Sequence, residues 1–146
     1  MSTEKNLELV KELLDAMRAH DIRKGTSFYA EDSVLDMIPV RGVVRGPQGL
    51  AAAWGMAWTA FPDQYYREDN IFAYGDYVCF EGVMGGTQQG MYLGLPPTGK
   101  SMSVRVCFVW RIEDGKVKEW HSYWDAADLL RQMGIIPQST GLPLEE

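Results

Sequence analysis

Two strand-like runs, SMSVRVCFVWRI and KVKEWHSYW, are joined through Glu113-Asp114-Gly115-Lys116. Asp-Gly between alternating apolar residues signals a two-residue β-hairpin, because both central positions of that turn need a positive φ. No other feature constrains the chain as much, since a turn at Asp114–Gly115 fixes the partner of every residue in both strands. Counting outward, Glu113 faces Lys116 and Ile112 faces Val117. Trp110 then faces Glu119, Phe108 faces His121, Val106 faces Tyr123 and Val104 faces Asp125. Opposed residues share a face of the sheet, so this register sets Glu119, His121, Tyr123 and Asp125 on the aromatic face. The other face carries Arg105, Cys107, Val109, Arg111, Lys118, Trp120, Ser122 and Trp124. It is the more basic of the two, so the aromatic face is expected to meet the helices. A bulge near Trp124 would reverse the facing of Asp125.

Upstream, Leu7, Val10, Leu13, Leu14 and Met17 recur at helical spacing, with Ser2 or Thr3 as cap and an end near His20. Asp21 can cap a short second helix reaching about Ala30, and the strand SVLDMI stops at Pro39. RGPQGLAAAWGMAWTAF reads as a helix, with Pro47 at its first position and Trp54 and Trp58 on one side. YVCFEGVMGGT reads as a strand, in which Gly82 either leaves room for a ligand or marks a bend. DAADLLRQMG reads as a terminal helix, and residues 135–146 as a tail. Helices followed by strands give an α+β class: N-terminal helices packed over the concave face of a curved, mixed but mainly antiparallel sheet. With no linker or internal repeat, residues 1–146 are expected to form a single domain.

A net charge of −6 with no basic cluster argues against nucleic acid as a partner. The first ten residues, MSTEKNLELV, do not resemble a signal peptide, and no apolar run reaches membrane-spanning length, so the expected location is cytoplasmic with no membrane partner. Cys79 and Cys107 lie in strand-like runs without metal-ligand spacing; they are expected to be free thiols, and no metal is implied. Five Trp, seven Tyr and five Phe are either core filler or the walls of a ring-lined cavity.

Asp125 has two readings. It is a wet strand end that caps the helix beginning DAADLL, or it projects among rings, where desolvation raises its pKa and suits it to acid–base work. His121 is similarly open, as a structural or a catalytic histidine. Asp36 has the parity of a surface residue if Leu35 and Met37 face inward.

Residues 86–134, containing Gly90–Thr98 with its Pro-Pro-Thr, Asp114–Val117, Asp125 and Leu130–Gly134, resemble the C-terminal half of SnoaL-like polyketide cyclases. FYAEDSV, RGPQGL and FPD extend the likeness over most of the chain. The resemblance implies the α+β cone of the nuclear-transport-factor-2-like superfamily. It places the family's acid–base Asp, which serves an aldol-type ring closure, on Asp125. The family's partner histidine falls on Phe108, its asparagine on Leu35, and a further histidine on Gln88. Limonene epoxide hydrolases resemble the chain over LPPTGKS and GKVKEWHSYWD; one of their acids also falls on Asp125, but their Arg and second Asp fall on Gly82 and Met84.

The expected activity is cofactor-independent acid–base chemistry on a hydrophobic, polycyclic or aromatic small molecule: cyclisation, isomerisation, dehydration or hydroxylation. Asp125 would move the proton and His121 would assist. Leu35, Met37, Phe80, Met84, Phe108 and Trp110 would line the pocket, with Trp54 or Trp58 above it and Tyr123 as a polar wall. The alternative is a hydrophobic ligand-binding domain of the same fold without catalysis. The resemblance also implies a homodimer or higher homo-oligomer through the outer sheet face, at Arg105, Val109, Trp120 and Trp124.

Overall fold

The N-terminal apolar stripe winds as helix α1 (Thr3–Arg18), burying Val10, Leu13, Leu14 and Met17. Ser2 caps it by accepting a hydrogen bond from the Lys5 amide at 3.1 Å. Asp21 does the same for the short helix α2 (Ile22–Thr26), accepting from the Lys24 amide at 3.0 Å. A computed structural model describes residues 2–137 of the chain; the expected tail from residue 138 onward lies outside the described residues.

Strand β1 (Tyr29–Met37) ends at a 3-10 turn, Ile38–Val40, that holds Pro39. Strand β2 (Gly42–Arg45) folds back on it, and helix α3 (Gly46–Ala60) follows with a proline in its first turn. Then come β3 (Tyr65–Tyr74), β4 (Tyr77–Thr87), β5 (Ser101–Glu113), β6 (Lys116–Trp124) and helix α4 (Ala126–Gln132). The six strands among the described residues form one sheet in the order β2-β1-β6-β5-β4-β3, antiparallel except for β1 against β6. Helix α3 lies over β1 and β2, and α1 over β3 and β4. The fold is therefore the expected α+β sheet with helices on one face.

The hairpin turn forms as its Asp-Gly predicts: Asp114 has φ 51° and Gly115 φ 74°. Glu113 pairs with Lys116 and Ile112 with Val117, but the next pair is Arg111 with Glu119. Lys118 is the extra residue of a β-bulge. Beyond it the pairs are Trp110–Trp120, Val109–His121, Phe108–Ser122, Cys107–Tyr123 and Val106–Trp124. The predicted register thus holds for two pairs and is then displaced by one, which moves every later β6 side chain to the opposite face.

The bulge has a physical cause. Val117 is fully buried and Trp120 is 9% exposed. Residues three apart cannot both point inward in a strand of period two, and the extra residue reconciles them. It also turns Lys118 outward, where its Nζ meets both carboxylate oxygens of Asp32 at 2.7 and 2.8 Å. On the convex side, Arg111 Nε lies 3.2 Å from Glu119 Oε2.

Two strands have no counterpart in the sequence reading. Strand β3 carries Arg-Glu-Asp-Asn in its middle and pairs with β4 alone, so as an edge strand it needs no alternating apolar face. Strand β2 is four residues long.

Candidate functional site

A layer of rings covers the concave face. Trp110 and Trp120 stack at 5.8 Å, and Phe108 meets both edge-on, at 5.6 and 5.3 Å. Phe80 stacks behind Phe108 at 5.6 Å. From above, α3 contributes Trp54, which stacks on Trp58 at 5.0 Å and meets Trp120 at 6.1 Å. Trp58 is sandwiched by the His20 ring at 4.6 Å and donates its Nε1–H to the Tyr66 hydroxyl at 3.0 Å.

Between α3 and the sheet lies a cavity. Its floor comes from Leu35 and Met37 of β1, Met84 of β4, Phe108 of β5, and Trp120, Ser122 and Trp124 of β6. Trp54, Ala53 and Ala57 form the α3 side, and Gln64, Tyr66 and Tyr92 close one end. The free space between these side chains is about 610 Å³ including the open mouth, of which about 70 Å³ admits the centre of a water-sized atom. That contrast describes a narrow slot rather than a chamber. Met37 and Met84 border it, and their unbranched side chains can shift to admit a ring.

Of the candidate residues, Leu35, Met37, Trp54, Met84 and Phe108 come together around this slot. Trp58, Phe80 and Trp110 do not border it; they are buried behind its walls and support them. The β6 candidates require correction. His121 pairs with Val109, and Tyr123, 42% exposed, pairs with Cys107, so both lie on the convex side. Asp125 is exposed and caps α4, its Oδ1 accepting from the Asp128 amide at 3.1 Å. The bulge at Lys118 is the reason in all three cases. The expected convex contact of Arg105, Val109, Trp120 and Trp124 loses both tryptophans to the cavity by the same displacement.

Asp36 borders the cavity, but its strand partners are His121 and Val43, on the convex side. Besides Asp36, the polar side chains among the residues bordering the slot are those of Trp120, Trp124, Ser122, Gln64, Tyr66 and Tyr92. Burial pushes the Tyr66 and Tyr92 phenols up, in Tyr66 against an opposing hydrogen bond from Trp58. Both hold their protons through neutral pH and can donate hydrogen bonds.

Sequence reasoning missed Trp120, Ser122, Trp124, Gln64, Tyr66 and Tyr92. The β6 residues had two signals: the three-residue interval from Val117 to Trp120, and the opposite charges of Arg111 and Glu119, which pair only in the bulged register. Gln64 follows a helix end in FPDQ, which carries no periodic signal.

Cys79 and Cys107 are free, their sulfurs 3.7 Å apart on the convex side. Burial and the neighbouring thiol push Cys79 up to about 12. Among the described residues no cluster of His, Cys, Asp or Glu has the form of a metal site, and no helix is long and apolar enough to cross a membrane.

A curved sheet with an apolar, ring-walled slot under a helix defines an α+β cone protein. The chain belongs to the SnoaL-like polyketide cyclase family, whose model matches residues 8–133. It is similar to nogalonic acid methyl ester cyclase of Streptomyces nogalater, 30% identical over 94 residues, covering 64% of this chain and 70% of that one. It is also similar to aklanonic acid methyl ester cyclase DnrD of Streptomyces peucetius, 27% identical over 92% of both chains. Among solved structures, AclR of Streptomyces galilaeus superposes with a TM-score of 0.84 at 24% identity, covering 96% of this chain and 91% of that one. This likeness concerns the fold.

Proposed function

We propose that this protein binds a flat, hydrophobic small molecule of the aromatic polyketide kind in the slot between α3 and the concave sheet. The observation that supports this is the slot itself: narrow, walled by Trp54, Trp120, Phe108 and Tyr66, and bordered by adaptable methionines. Pockets for organic ligands have this make-up, mostly apolar with a few placed polar groups. The relatives named above are cyclases of nogalonic and aklanonic acid methyl esters, which agrees with a small organic ligand.

Ring-closing turnover is the second reading, favoured by the names of those relatives. In this chain the groups facing the slot can donate hydrogen bonds to a developing oxyanion. The exposed Asp125 is the cap of α4; among the described residues the carboxylate that borders the slot is Asp36, whose strand partners lie on the convex side.

One experiment separates the two roles of that acid. Aklanonic acid methyl ester, added to wild type and to Asp125→Ala, should quench tryptophan fluorescence with the same affinity in both. The variant should lose about 1 kcal/mol of stability from the missing cap. If Asp125→Ala remains folded but loses binding or turnover of the ester, the acid acts on the ligand and the slot is misassigned. Failure of the wild type to bind this or any aromatic ketone would overturn the binding reading.

A further inference from the structure

Buried polar groups in folded proteins nearly always find a hydrogen-bond partner, and most of this chain obeys that rule. The Trp110 indole donates to the Tyr29 hydroxyl at 3.1 Å, and Trp58 donates to Tyr66. The fully buried Gln88 amide donates to the carbonyls of Gly90, Leu95 and Pro96 and accepts from Thr98. On the wall of the slot the rule fails. Trp120 Nε1 and Gln64 Oε1 are buried without a partner. Ser122, 6% exposed, makes no side-chain hydrogen bond to the described residues. Asn6 and Ser33 also carry an unpartnered oxygen, but neither borders the cavity.

These groups have a defined arrangement. Trp120 and Ser122 are two residues apart on β6, so they stand side by side on the concave face. Both are donors, and they flank one region of floor bordered by Phe108, the strand partner of Ser122. Gln64 comes from the loop after α3. Its backbone is fixed by the amide's bond to Phe61 O at 3.0 Å and by His20 Nε2 donating to its carbonyl at 2.8 Å.

We propose that Trp120 and Ser122 together form the oxygen-binding end of the slot, donating to a single acceptor oxygen of the ligand such as a ring carbonyl, and that Gln64 Oε1 accepts from a ligand hydroxyl. This deepens the binding reading above and rests on it. An apolar ligand of the same shape leaves all three groups unsatisfied, which is the condition under which a site discriminates strongly. Trp120 and Ser122 are thus specificity-determining residues, and they occupy the inward positions of β6 that a carboxylate does not.

Fluorene, 9-fluorenone and 2-hydroxy-9-fluorenone share one flat three-ring frame and differ by a carbonyl and then a hydroxyl. Calorimetric titration of the wild-type protein should give about a tenfold gain in affinity on adding the carbonyl, and a further gain on adding the hydroxyl. Ser122→Ala and Trp120→Phe should each bring the ratio of fluorenone to fluorene affinity down from about tenfold to within about twofold. Gln64→Leu should remove the hydroxyl step alone. Equal affinity for all three compounds, or variants that weaken fluorene as much as fluorenone, would overturn this assignment and leave the binding reading intact. Failure of all three to bind would overturn both.

Discussion

Replacing Gly82 by alanine should destabilise the protein by at least about 4 kcal/mol, in the range reserved for a few drastic mechanisms. A Cβ built at Gly82 would lie 1.9 Å from the carbonyl oxygen of Arg67 and 2.9 Å from two carbons of the Phe80 ring. The first contact decides the matter, because the Arg67 oxygen belongs to the neighbouring strand and cannot rotate away. The register of β3 against β4 shifts between Glu68 and Asn70, and that bulge bends the β3 backbone towards Gly82. The sequence left two readings of Gly82, room for a ligand or a bend; here the room is taken by backbone. Gly75 provides the control: a Cβ there meets nothing within 4 Å, but its φ is +58°, so alanine should cost only about 1 kcal/mol. Urea unfolding of both variants checks the contrast. A Gly82→Ala protein as stable as Gly75→Ala would mean that β3 does not bend as described.

The same physics explains what could be read from the chain and what could not. Helix α3, the caps Ser2 and Asp21 and the Asp-Gly turn are local features, each specified by a few adjacent residues, and each forms as expected. Strand β3 is an edge that the sequence marks only with polar residues. The register of β6 is not local: it depends on whether Val117 and Trp120 are both buried, which is settled by what β1 and α3 place above them. A single inserted residue, Lys118, then exchanges the two faces of β6 from Glu119 onward. Asp125 shows the consequence. Its N-cap signal in DAADLL was legible and corresponds to the observed hydrogen bond, whereas the facing derived from the turn was inverted. The residues around the slot on β1, β4, β5 and α3 keep the expected facing, because none of them lies beyond the bulge.

The bulged register can be tested by putting a carboxyl where the cavity is. Ser122→Asp would place an acid beside Phe108 and Met37, on a face where the native residue is 6% exposed. In the unfolded chain that carboxyl ionises near its usual value of about 4. In the fold, desolvation disfavours the charge and raises the pKa, by up to about 3 units or more for full burial. Below about pH 4 both states hold the proton, and the variant differs from wild type only by its larger side chain. As the pH rises, the unfolded state gains from ionising while the folded state does not. Stability therefore falls by about 1.4 kcal/mol per pH unit until the folded pKa is passed, a total of about 4 kcal/mol for a 3-unit shift. Tyr123→Asp, one residue on and on the convex side, should show no such slope. Thermal melts of both variants between pH 4 and 8 measure the difference directly. Were the strands paired without the bulge, the behaviour of the two positions would be interchanged: the acid at 123 would be the buried one, and Ser122→Asp would sit harmlessly in water.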